Sequence, residues 1–202
     1  MAFYVSTNED ILDLFSDLVD GDEFQSEDAA LRSMNSKYFT LLSERDWYFL
    51  DKSVVFALTN LLLSQITDLD KVLRIWYVST NGVVSQEPLR EAPYSDRFNT
   101  DYDYYIDQST QSIVLINTIA NGTLRVDYKY RPNPLALEVT TGHDLTCVIP
   151  ITFRPLLALA MVHDFKKADE AIEMFKEHGY DEDALHNAMI DDDSNHKQFY
   201  AQ

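Results

Sequence analysis

The sequence predicts an α+β protein: two N-terminal helices and a long C-terminal helix bundled with a small antiparallel sheet. Three observations predict it. Apolar residues recur at helical spacing over 6–46 and 150–178. Between 47 and 131 they alternate with period two. The five glycines, Gly21, Gly82, Gly122, Gly142 and Gly179, fall at the boundaries between these stretches. At 202 residues the expected organisation is one domain over 1–179, followed by an acidic helix and tail over 180–202.

Thr7-x-x-Asp10 resembles a capping box, and Ile11, Leu14, Phe15, Leu18 and Val19 follow as an apolar stripe. Gly21 stops this helix. Ser26 caps the second, with Glu27 and Asp28 at its positive end and Leu31, Met34, Tyr38 and Leu41 as its stripe. It ends near Trp47. Val54, Phe56 and Leu58 alternate as a strand, and 71–78 reads as another from its β-branched and aromatic content. Asn81-Gly82 marks a tight turn, and 83–101, with Pro88 and Pro93, reads as a long loop. Strands are expected over 102–107, 112–119 and 123–131, with Asn121-Gly122 joining the last two as a hairpin.

In 123–131, Leu124, Val126, Tyr128 and Tyr130 face one way and Arg125, Asp127, Lys129 and Arg131 the other. The charged face is a candidate subunit contact or a solvent face. Pro132 and Pro134 end the sheet region. Pro155 opens the long helix, whose first turns, Leu156 to Val162, are apolar almost all round and so are expected to be buried on several sides. Gly179 stops it. Asp181 caps a short last helix through Ile190, and a polar tail begins at Asp191.

The chain has 34 Asp+Glu against 16 Lys+Arg, a formal net charge of −18. That balance excludes nonspecific binding along a phosphate backbone, which needs Lys and Arg to displace counterions. The charge is uneven: residues 1–30 hold nine acids and no Lys or Arg, and 164–202 hold eleven acids and four lysines. A nearly neutral body carries two acidic ends.

No apolar run approaches the ~20 residues of a membrane helix. The first residues lack the pattern of a signal peptide, and the one cysteine, Cys147, has no internal disulfide partner. Both point to a reducing cytoplasm. No clustered glycines form a phosphate-binding loop, no Gly-x-Ser-x-Gly elbow is present, and His143, His163, His178, His186 and His196 show no metal-ligand spacing. Asp181-Glu182-Asp183 and Asp191-Asp192-Asp193 lack the alternating ligands and central glycine of a calcium loop. No enzyme, cofactor or metal is expected.

Four segments in order carry a resemblance: Leu41 through Trp47-Tyr48-Phe49-Leu50; Leu63 through Asp68 to Ile75; Ile113 to Ile116 with Val126-Asp127-Tyr128-Lys129-Tyr130-Arg131-Pro132; and Ile149-Pro150 through Leu156 to Ala160. Together they resemble the head-to-tail adaptor (connector) proteins of tailed bacteriophages, over roughly residues 25–178. The chain departs from that family where Leu63 is followed by Ser64 rather than Pro. The 83–101 loop and the acidic ends have no counterpart.

The resemblance implies a virion protein of the phage neck, assembled in the host bacterial cytoplasm. Such proteins form a homo-oligomeric ring of about twelve copies beneath the portal protein. The ring extends the DNA channel used in genome packaging and ejection, and carries a tail, stopper or nozzle protein below. No membrane is involved. The C-terminal segment of such a protein reaches the portal, which makes Phe199 and Tyr200 candidate anchors. Asp13, Asp17, Asp20, Glu170, Glu173 and Glu177 are candidate channel-facing acids, repelling DNA that passes without being held. Two alternatives remain: an acidic DNA mimic that inhibits a DNA-binding enzyme, and another neck or tail-completion protein.

Overall fold

The computed structural model describes residues 5–19, 26–119, 121–138, 142–163 and 168–199. The fold is α+β, as expected. Contacts divide the chain into two compact units: a helical unit of Met1–Phe49 with Pro132–Gln202, and a sheet unit of Leu50–Arg131.

The helical unit contains α1 (Asn8–Val19), α2 (Glu27–Ser43), α3 (Pro155–Val162), α4 (Ala168–Glu177) and α5 (Glu182–Phe199). Local chemistry sets the helix starts. The Thr7 hydroxyl accepts the Asp10 N–H at 3.1 Å, and the Asp10 carboxylate accepts the backbone N–H groups of Thr7 and Ser6, each at 2.7 Å. The Ser6 hydroxyl also donates to Asp10. These bonds, the Ser6 hydroxyl first, hold the Asp10 carboxyl below its ordinary range against the opposing effect of burial. Ser26 accepts the Ala29 N–H at 3.3 Å and starts α2.

α3 is the hub. Seven of its residues are buried, and α1, α2, α4 and α5 all pack on it. A helix apolar on every side needs neighbours on every side. Ile11, Leu14, Phe15, Leu18 and Val19 form the buried face of α1, and Met34, Tyr38, Leu41 and Leu42 that of α2.

Two expectations change here. The single long helix is described as α3 and α4, with 164–167, Phe165 among them, outside the described residues. The polar tail expected from Asp191 is helix instead: α5 runs on to Phe199 because Met189 and Asp193, one turn apart, are both buried.

Between α4 and α5 the chain turns at Gly179, φ +87°. Gly179 N–H donates to the Lys176 carbonyl at 2.9 Å and Tyr180 N–H to the Phe175 carbonyl at 3.1 Å. The Tyr180 and Phe175 rings stack at 4.9 Å, the apolar contact that accompanies this kind of helix end. The Asp181 carboxylate then accepts the Ala184 N–H and starts α5.

The sheet unit contains β1 (Asp51–Ala57), β2 (Leu69–Val78), β3 (Tyr104–Asp107), β4 (Ser112–Leu115) and β5 (Thr123–Tyr130). β5 is central and antiparallel to both neighbours in the order β1-β5-β2, while β3 and β4 pair as a separate ribbon. Phe56, Leu63, Ile75, Tyr104, Ile113, Leu124 and Val126 form the core between them.

The expected hairpin of 112–119 with 123–131 is therefore not formed. Gly122 instead lies against β2. A Cβ added there would stand 2.4 Å from the Val78 carbonyl oxygen and 2.7 Å from the Tyr77 ring, at φ +114°. Asn121-Gly122 marks a close approach of β5's leading edge to β2, not a turn from β4.

Candidate functional site

No group of three or more His, Cys, Asp or Glu among the described residues is arranged to hold a metal ion. Cys147 is buried, and burial pushes its thiol up to about 11. Its carbonyl serves structure: Arg154 Nη2 donates to it at 2.8 Å and Nε to the Ile149 carbonyl at 3.0 Å, while Nη1 bonds the Ser6 carbonyl. This buried guanidinium ties the N-terminal segment to the 147–149 approach to α3.

The helical unit holds 24 of the Asp+Glu residues with eight Lys+Arg, and the sheet unit ten with eight. The acidity thus belongs to the helices. On α1, Glu9, Asp13 and Asp17 are exposed at four-residue spacing. They form a ridge of like charges about 6 Å apart. On α4, Glu170, Glu173 and Glu177 are exposed. None of the six forms an ion pair among the described residues. Asp20 lies outside those residues.

Beside the α1 ridge runs a groove of about 320 Å³ between α1 and α2. Leu12, Phe15, Val19, Ala30 and Leu137 supply its apolar lining, and Glu9, Asp13 and Glu27 its acids.

The charged face of β5 is largely engaged inside the sheet unit. Asp127 accepts from Trp76 Nε1 at 2.7 Å, Ser53 Oγ at 2.6 Å and Arg125 Nη2 at 3.2 Å. Lys129 is only 4% exposed and pairs with Asp51 on β1. Because β5 is the middle strand, its charges meet partners on both flanking strands. Arg131 alone stays well exposed, paired with Asp70 at 3.0 Å.

On the opposite face, that of Tyr128 and Tyr130, Asp68 receives Lys52 Nζ at 2.6 Å and the Tyr128 hydroxyl at 3.1 Å. Burial raises the Asp68 carboxyl, but these donors outweigh it and hold the group below its ordinary range. The same bond, after burial, pushes Tyr128 up to about 12.

The candidate C-terminal residues are described in part. Phe199 closes α5, its side chain and Tyr200 lying outside the described residues. The body of α5 is clasped to its own unit. Asp193 accepts the Tyr48 backbone N–H and pairs with Arg45 at 3.3 Å, Asp192 accepts the Tyr48 hydroxyl, and His196 stacks on the Tyr48 ring at 3.9 Å.

The chain matches no family model and no curated protein. No helix among the described residues is long and apolar enough to cross a membrane.

One surface escaped the reading of the sequence. In the 83–101 loop, Phe98 is 80% exposed and Tyr94 60% exposed. The Arg97 guanidinium lies over both rings, 4.3 Å from Tyr94 and 4.7 Å from Phe98. The available signal was Pro93-Tyr94-Ser95-Asp96-Arg97-Phe98, two aromatics flanking an arginine in an otherwise polar loop. Tyr and Arg are the residues enriched where proteins meet.

Proposed function

We propose that this chain is a structural protein of the neck of a tailed bacteriophage. Copies form a ring beneath the portal that extends the DNA channel and joins head to tail. The observation that carries this reading is the acidic ridge Glu9–Asp13–Asp17, exposed and without ion pairs among the described residues, in a unit that holds most of the chain's acids. Repeated around a ring, the ridge becomes a negative collar. Duplex DNA carries one charge per ~1.7 Å of axis and is repelled by such a wall. Screening within ~8 Å at physiological salt keeps the barrier low enough for passage. The four sequence segments that resemble the adaptor family support the same reading.

The test is a ring assay against the portal protein encoded with this chain. Electron microscopy of the mixture is expected to show an added ring below the portal. A chain that leaves the portal bare and is missing from purified necks overturns the reading. Asp17→Lys with Glu177→Lys, two exposed acids outside the groove, is expected to slow DNA release from assembled particles, and unchanged release removes the channel-wall role. The same ridge of exposed acids is what an acidic DNA mimic would present. That reading predicts tight binding to a DNA-binding enzyme, displaced by duplex DNA, and no contact with portal.

A further inference from the structure

Two surfaces, one on each unit, are complementary. The first is the knob at 94–98. It is built, not floppy: Asp96 N–H donates to the Pro93 carbonyl and Asn99 N–H to the Asp96 carbonyl, both at 2.8 Å. Ala92 N–H donates to the Tyr104 carbonyl at 2.7 Å and pins the base of the loop to β3. Tyr105 supports the Tyr94 ring edge-on at 6.2 Å. An aromatic pair and a guanidinium held this way lose little freedom on binding.

The knob's chemistry selects its partner. Among the described residues, Lys52, Arg90, Arg125, Lys129 and Arg131 of the sheet unit are in ion pairs. Such a surface has few charges to offer a phosphate backbone. Arg97 has no ion pair among the described residues; its Nη1 donates to the Tyr94 carbonyl and its plane covers two rings. The complement is a concave surface with an apolar lining and an acidic rim. The α1/α2 groove has both, with Leu12, Phe15 and Ala30 in its lining and Glu9, Asp13 and Glu27 as its acids.

We infer that copies of this chain join head to tail, with Phe98 and Arg97 of one copy seated in the Glu9/Asp13/Glu27 groove of the next. The occupant is a second copy because this chain itself supplies both halves, matched in charge and in polarity. Knob and groove are different patches, so the contact is heterologous and leaves a knob and a groove open at the ends. Closure of that series into a ring rests on the neck reading; the contact itself does not.

The experiment is sedimentation of the full-length chain over a concentration series. Wild type is expected to self-associate, less so at high salt. Arg97→Glu, Phe98→Ser and the pair Glu9→Lys/Asp13→Lys are each expected to weaken association by roughly 30-fold or more. Equal mixing of the Arg97→Glu and Glu9→Lys/Asp13→Lys proteins restores it, because each then meets a groove of opposite charge. Ser16 also lines the groove, so copies carrying Phe98→Cys are expected to form a mixed disulfide with copies carrying Ser16→Cys.

Association untouched by these changes, a mixture that stays dissociated, or a wild type that remains monomeric with no mixed disulfide overturns the inference. The assay uses no portal, so a chain that self-associates by this contact yet ignores portal overturns only the neck reading.

Discussion

The fully buried carboxylate of Asp193 accepts the backbone N–H of Tyr48 at 2.6 Å, joining positions 145 residues apart in sequence. Arg45 reaches the second carboxylate oxygen at 3.3 Å. α5 is therefore fixed to the end of α2 by a buried charge with specific donors. Removing one side of such an arrangement costs more than the pair contributes, because the remaining group stays buried. Asp193→Ala is expected to lower the stability of the helical unit by ~2–3 kcal/mol in urea unfolding. Asp191→Ala, at an exposed neighbour, is expected to change it by less than ~0.5 kcal/mol. Equal effects of the two changes would show that Asp193 does not hold α5.

Tyr48 makes the same clasp sensitive to alkali. Its hydroxyl donates to Asp192 at 2.9 Å. Burial, then this bond and the charges of Asp192 and Asp193, push the phenol up to about 12. A folded pKa above the unfolded value near 10 gives stability that is complete below pH ~10 and lost as pH rises through about 12. Tyrosinate would then face two carboxylates. A loss of helical circular dichroism is expected across that window. Tyr128 in the sheet unit titrates there too, so the readout is the difference between wild type and Tyr48→Phe. Identical profiles for the two proteins would remove Tyr48 as the cause.

What could be read from the sequence was what depends on near neighbours. Thr7 with Asp10, Ser26, Gly179 and Asp181 each act within a few residues, and each acts as its residue type dictates. The apolar stripes of α1 and α2 and the all-round burial of α3 follow from periodicity in the same way. Distant partners are what the sequence hid. Asp193 looks like one of three solvated acids until Tyr48 is placed against it. Lys129 alternates like a surface residue, but the central position of β5 brings Asp51 beside it. Of the candidate site, the exposed acids at 13, 17, 170, 173 and 177 were legible, since charged helix faces turn outward. The Tyr94–Arg97–Phe98 knob was not, because a loop's composition does not say which of its aromatics are left uncovered.

Asp10 gives α1 a dependence on acid. Its carboxyl is held low, so its contribution is present above the unfolded value near pH ~4 and lost as pH falls through the folded value. Asp10→Ala is expected to cost ~1 kcal/mol at pH 7 and to flatten the loss of stability below pH ~4. Thermal unfolding at pH 7 and pH 3 checks both points. A variant whose midpoint falls with acid as steeply as wild type would show that another carboxylate governs that limb.

Gly122 tests the pairing of the sheet. Gly82 and Gly122 both have positive φ and each follows an asparagine, yet their surroundings differ. A Cβ on Gly82 meets nothing within 4 Å, whereas one on Gly122 meets the Val78 carbonyl oxygen at 2.4 Å and the Tyr77 ring at 2.7 Å. The carbonyl is backbone on β2 and cannot swing aside without breaking the β2–β5 register, where Val78 faces Thr123. Gly82→Ala carries only the conformational penalty, about 1 kcal/mol. Gly122→Ala adds a steric clash and is expected to cost ~3 kcal/mol or more, with β2 and β5 amides losing protection from hydrogen exchange. If β4 were the partner of β5 across a tight turn, the two substitutions would behave alike and the protection of β2 would not change.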